Sequence, residues 1–104
     1  MVGSALVKAL EEKGFNNILK KRHHELDLIN QGGTLQFFSN QEPEYVFLTA
    51  AKVGGIQANN KYRGQFIYEN LMIQNNVIHS SHLSGVKKLI FLGSACIYPK
   101  FAKQ

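Results

Sequence analysis

With 104 residues, 44% of them hydrophobic and 18% charged, the chain has room for one small globular domain and no more. No run of about 18 apolar residues is present to span a membrane, and the first turns carry Lys8, Glu11 and Glu12 where a secretory signal needs an apolar core. A net charge of +5 favours anionic partners, with nucleic acid and a sugar-nucleotide pyrophosphate both open on charge alone.

Ala5, Leu6, Ala9 and Leu10 recur at helical spacing against Lys8, Glu11, Glu12 and Lys13, so the chain is expected to start inside a helix that Gly14 ends. Ile18-Leu19 opens a short apolar stretch, expected as a strand, which runs into Lys20-Lys21-Arg22. Leu35, Phe37 and Phe38 suggest a weaker helix before Pro43, with Gly32 and Gly33 unfavourable at its start. Tyr45 to Ala51 and Leu89 to Leu92 are apolar runs of strand length without alternation, the pattern of parallel strands covered on both faces. Between them lies a long amphipathic segment with Phe66, Ile67, Met72, Ile73, Val77 and Ile78 as its apolar side and Gly85 past its end. The order helix, strand, helix, strand, helix, strand predicts an α/β fold with a doubly wound parallel sheet.

Ligands of such sheets lie at the carboxyl ends of the strands. After the middle strand come Ala50, Ala51 and Lys52, then Gly54 and Gly55, which let a ligand approach the backbone closely. An ordinary glycine turn is the plainer reading. After the last strand come Ser94 and Cys96. A serine hydroxyl there can hydrogen-bond a substrate carbonyl, and a thiol of tuned acidity can move a proton. Equally, Ser94 can satisfy a turn and Cys96 can be a small buried hydrophobe. Because Cys96 is the one cysteine, a disulfide framework and a cysteine-built zinc site are excluded, and a reducing cytoplasm is the natural compartment. His79 and His82 stand three apart on the long helix, but no further ligand completes a metal site with them.

Taken together, Ala50-Ala51-Lys52-Val53-Gly54-Gly55, Ala58-Asn59-Asn60, Asn70 and Gly93-Ser94-Ala95-Cys96-Ile97-Tyr98-Pro99-Lys100 resemble the GDP-L-fucose synthase family of extended short-chain dehydrogenases/reductases. The resemblance runs over essentially the whole chain. It implies a Rossmann-like domain that binds NADP, a GDP-sugar substrate, and neither nucleic acid nor membrane as partner. It also implies a cytoplasmic enzyme that is a homodimer at full length. Family members epimerise GDP-4-keto-6-deoxy-D-mannose at two ring carbons and then reduce its keto group. On this resemblance Gly3 is the last glycine of the phosphate-binding turn, at a helix N-terminus that favours the pyrophosphate. Asp27 and Leu28 border the adenine, and Ala50, Ala51 and Lys52 face the cofactor. Ser94 polarises the keto oxygen and Cys96 transfers a proton during epimerisation. Arg22 and His23 occupy the place where family members hold the 2′-phosphate of NADP, with a solvated strand end as the plainer alternative.

The same resemblance sets limits. The family's first strand and first glycines would precede Met1, its Tyr-x-x-x-Lys pair and a second proton-transfer histidine would follow Gln104, and Tyr98 is not that tyrosine because Ala102 stands four residues on. Residues 1–104 are therefore expected to be an incomplete NADP-binding domain, a partial doubly wound sheet lacking its first strand, and inactive alone. Another nucleotide-sugar epimerase or dehydratase, or a non-catalytic nucleotide-binding remnant, are the alternatives.

Overall fold

The computed structural model describes residues 2–50 and 61–93. Helix α1 (Val2–Glu12) turns Gly3, Leu6, Val7 and Leu10 inward to half-buried positions, the i, i+3, i+4, i+7 stripe of an amphipathic helix. It ends as the sequence predicts. Gly14 adopts φ +90°, the Phe15 N–H donates to Leu10 O at 3.1 Å, and the Gly14 N–H donates to Glu11 O at 3.0 Å. This paired closure satisfies two carbonyls that the last turn leaves without partners.

The strand expected at Ile18-Leu19 does not form: residues 15–22 lie outside any ladder, and Leu19 is 48% exposed. A strand exists only through hydrogen bonds to a neighbour. Among the described residues no strand lies beside this segment to supply them.

Helix α2 (Gln31–Gln41) forms despite Gly32 and Gly33 because its start is capped. The Asn30 side chain accepts the Gly33 N–H at 3.0 Å, and the Thr34 hydroxyl donates to Asn30 O at 2.8 Å. The helix stops at Glu42, held in the left-handed region at φ 46°. Strand β1 (Tyr45–Leu48) follows, then helix α3 (Arg63–Leu83) and strand β2 (Lys88–Phe91). The two strands pair in parallel, Tyr45 opposite Lys88 through Leu48 opposite Phe91. Their shared start is marked by Lys87, whose N–H donates to Glu44 O at 2.8 Å and whose Nζ lies 3.3 Å from the Glu44 carboxylate.

The core sits where α2 and α3 cover one face of this sheet. Phe38, Leu48 and Val77 are its buried centre, with Leu28, Phe37, Val46, Ile73, Val86 and Leu89 around them. The α/β class and the parallel pairing agree with the sequence reading, and two details do not. Tyr45 and Phe47 on the opposite face of β1 are exposed, Tyr45 at 60%, so among the described residues the sheet is covered on one face. Ile67 and Ile78, assigned to the apolar side of the long helix, point outward from α3, while Val77 is 2% exposed. Each stands beside an inward-facing residue, and one position is about 100° of rotation on a helix of 3.6 residues per turn.

Candidate functional site

The basic turn after the first helix is built by its own side chains. The Glu25 carboxylate accepts the Arg22 N–H at 2.8 Å, and the N–H groups of Glu25 and Leu26 donate to Arg22 O at 2.9 and 3.0 Å. That backbone hydrogen bond holds the Glu25 carboxyl below its ordinary pKa, helped by the nearby charges of His24, Lys21 and Arg22. His23 and Asp27 face one another at 4.0 Å, Nδ1 to Oδ1, both largely in solvent. Arg22 and His23 thus sit on an ordered, exposed turn. The sequence analysis missed Glu25, which in the structure folds back among the cations. Its signal was the three-residue spacing from Arg22, the spacing at which a carboxylate reaches back to an N–H.

The next turn carries Asp27 and Leu28. The Asp27 carboxylate accepts the Ile29 N–H at 3.0 Å, and Asp27 O accepts the Asn30 N–H at 3.1 Å. Leu28 packs against the core cluster. From the far side, the buried Asn76 amide of α3 donates to Leu28 O at 2.8 Å and to Ile29 O at 3.0 Å. Sequence reasoning missed Asn76. A polar residue beside Val77, on the inward face of an apolar helix, was the available sign.

Gly3 lies in the first turn of α1 against the carboxyl end of β1. A Cβ added there would stand 3.1 Å from the Thr49 hydroxyl oxygen, tighter than ordinary contact. The Thr49 side chain thus packs directly on Gly3 at the helix start, where a larger residue would crowd it. Ala50 follows on the exposed strand end. Ala51, Lys52, Ser94 and Cys96 lie outside the described residues. The structure thus brings Gly3 to the end of β1 and gathers Arg22, His23, Asp27 and Leu28 in two consecutive turns. Elsewhere, His79 and His82 line a shallow groove with Asn75 and Ile78, and no group of three metal-ligand side chains occurs among the described residues. No helix among those residues is long and apolar enough to cross a membrane.

A glycine at a helix start against a strand end, and an exposed turn carrying Arg22 and His23, are the kinds of feature that hold a dinucleotide with a phosphate on its ribose. The whole chain, residues 1–104, matches the NAD dependent epimerase/dehydratase family. The chain belongs to that family. Among epimerase/dehydratase relatives, it is 61% identical over its full length to GDP-L-fucose synthase 1 of Arabidopsis thaliana and covers 32% of that protein. It is 49% identical to the GDP-L-fucose synthase of Escherichia coli K12, again over its full length and 32% of the relative. A GDP-mannoheptose C4 reductase from Campylobacter jejuni, solved with NADP bound, superposes with TM-score 0.92 at 56% identity, covering 97% of this chain and 32% of that one. A GDP-L-fucose synthetase from Naegleria fowleri, also bound to NADP, gives TM-score 0.86 at 26% identity, covering 98% and 33%. The chain spans about a third of the length of these epimerase/dehydratase relatives.

Proposed function

We propose that residues 1–104 form the incomplete NADP-binding, Rossmann-like domain of a GDP-L-fucose synthase, acting on GDP-4-keto-6-deoxy-D-mannose and inactive without the rest of the enzyme. The observation that carries this reading is the full-length match, at 61% and 49% identity, to proteins of that name from a plant and a bacterium. A cytoplasmic location is a further part of the reading, supported by the single cysteine and by the composition, and a homodimer at full length is what the family resemblance implies.

The cofactor, when bound, supplies the hydride. The chain's own residues bind and orient. Gly3 and the first N–H groups of α1 receive the pyrophosphate, and Arg22 and His23 hold the 2′-phosphate through charge-assisted hydrogen bonds. Asp27 and Leu28 border the adenine, while Ala50, Ala51 and Lys52, which follow β1 in the sequence, contribute to cofactor binding. Ser94 donates its hydroxyl to the keto oxygen, where negative charge develops. Cys96, as thiolate, takes the acidic carbon-bound proton beside the carbonyl during epimerisation.

The test is a chimera in which residues 1–104 replace the corresponding third of the Escherichia coli relative. It should oxidise NADPH with GDP-4-keto-6-deoxy-D-mannose and release GDP-L-fucose. A folded chimera that binds NADPH yet leaves this substrate unreduced would overturn the assignment.

A further inference from the structure

We infer that Asn76 is a positioning residue that sets the affinity for the adenosine half of the dinucleotide by holding the turn of Asp27 and Leu28 to α3; the inference rests on the cofactor reading above. Asn76 is 5% exposed and stands beside Val77, the most buried apolar residue of the helix. A buried amide in a helix interior is unfavourable unless its polar atoms are matched, and an apolar residue would serve packing better. Here both amide hydrogens are used, on carbonyls 48 and 47 residues away in sequence. Those carbonyls, of Leu28 and Ile29, belong to a turn outside any helix or ladder.

The turn is closed by its own hydrogen bonds. Within it, Asp27 accepts the N–H groups of Ile29 and Asn30 on its side-chain and backbone oxygens respectively. The Thr34 hydroxyl, bonded to Asn30 O at 2.8 Å and 3.5 Å from Leu28 O, joins the same turn to α2. Asn76 therefore references residues 27–29 to the helix whose neighbouring Val77 is seated in the core. Releasing this tether leaves a smaller fraction of the chains with the turn in its binding-competent shape, and apparent affinity falls by that fraction. Arg22 and His23 lie on the preceding turn, which Glu25 closes independently. Loss of Asn76 should accordingly weaken ligands with and without the 2′-phosphate by the same factor.

The experiment titrates the ¹⁵N-labelled full chain with 2′,5′-ADP and with 5′-AMP, for wild type, Asn76→Ala and Asn76→Asp. Both variants should bind both probes about tenfold more weakly, with their ratio unchanged. In the chimera, Asn76→Ala should raise KM for NADPH and for NADH alike while kcat stays within about twofold. Unchanged affinity in a variant that remains folded would overturn the positioning role. If the variants do not fold, the wild-type Asn76 side-chain amide decides. Its two proton resonances should shift when 2′,5′-ADP binds, and resonances that stay still at saturation would overturn the inference. A wild-type chain that ignores 2′,5′-ADP and a wild-type chimera that binds no NADPH would instead overturn the cofactor reading beneath it.

Discussion

Arg22, His23 and Glu25 show how one short turn gathers opposing charges around a single task. On the proposed reading two cations receive a phosphate while the Glu25 carboxylate, bound to the Arg22 N–H, keeps the turn closed from the same side. Replacing Arg22 and His23 together by Ala in the chimera should remove most of the preference for NADPH over NADH. Charge-assisted hydrogen bonds of this kind are worth about 1.5–3 kcal/mol each, which is roughly 10- to 150-fold in affinity. Equal affinities for the two cofactors before mutation would count against the assignment. The Glu25 bond has its own signature. Its pKa is lowered from 4.5 in the folded turn, so the closure it provides is present above that value and is lost as pH falls through the lower folded value. The Arg22 amide proton should therefore move upfield on acidification with a midpoint below 4.5, and Glu25→Gln should abolish the transition. The two outermost site residues separate by chemistry. A serine hydroxyl is far too weak an acid to act as base near neutrality, whereas a tuned thiol is not. Ser94→Ala in the chimera should lower keto reduction by about 100- to 1000-fold, while Cys96→Ser should chiefly slow deuterium exchange at the ring carbons. Exchange at the unmutated rate in Cys96→Ser would return Cys96 to a packing role.

At the scale of the elements, what was legible in the sequence is what local chemistry decides. Gly14 and Gly85 punctuate α1 and α3 where the spacing put them, at φ +90° and +73°, because few other residues enter that region cheaply. The runs at Tyr45 and Leu89 were readable as strands of one parallel sheet. The start of α2 was harder to read, since propensity argued against Gly32 and Gly33 and the Asn30 cap outweighed it. Ile18-Leu19 failed as a strand because strand formation depends on a neighbour that its own residues do not encode. Asn76 and Glu25 escaped because their meaning lies in partners, one of them 48 residues away. Two substitutions on α3 check the corrected orientation. Val77→Ala removes methyl groups from the core and should cost about 1–3 kcal/mol in urea unfolding, whereas Ile78→Ala, 43% exposed, should stay within about 0.5 kcal/mol. The reverse order would mean that α3 is rotated from the position described.

At the scale of the molecule the decisive feature is how little of the sheet the described residues cover. Phe38, Leu48 and Val77 are the fully buried apolar residues among those described, and Tyr45, Phe47, Ile90, Phe91 and Leu92 remain exposed on and beside the strands. Burial of apolar area is the main term opposing chain entropy, and domains of this length hold only a few kcal/mol in reserve even with a full core. The 104-residue chain by itself should therefore be marginal: a urea midpoint of about 2 M or lower, with dye-accessible apolar surface before unfolding begins. A cofactor that binds only the folded state adds RT ln(1 + [L]/Kd), about 2.7 kcal/mol at a hundredfold excess over Kd. That increment is comparable to the whole expected stability, so it should move the midpoint by about 1–2 M. The shift also discriminates. Every contact assigned to the pyrophosphate and adenine is common to NAD and NADP, and Arg22 and His23 alone distinguish them. At equal millimolar concentration NADP should raise the midpoint clearly more than NAD, and the Arg22→Ala, His23→Ala double variant should bring the two curves together. Coincident midpoints in the unmutated chain would remove the basic turn from the binding site and leave Gly3, Asp27, Leu28 and Ala50 as the contacts that the described residues offer the cofactor.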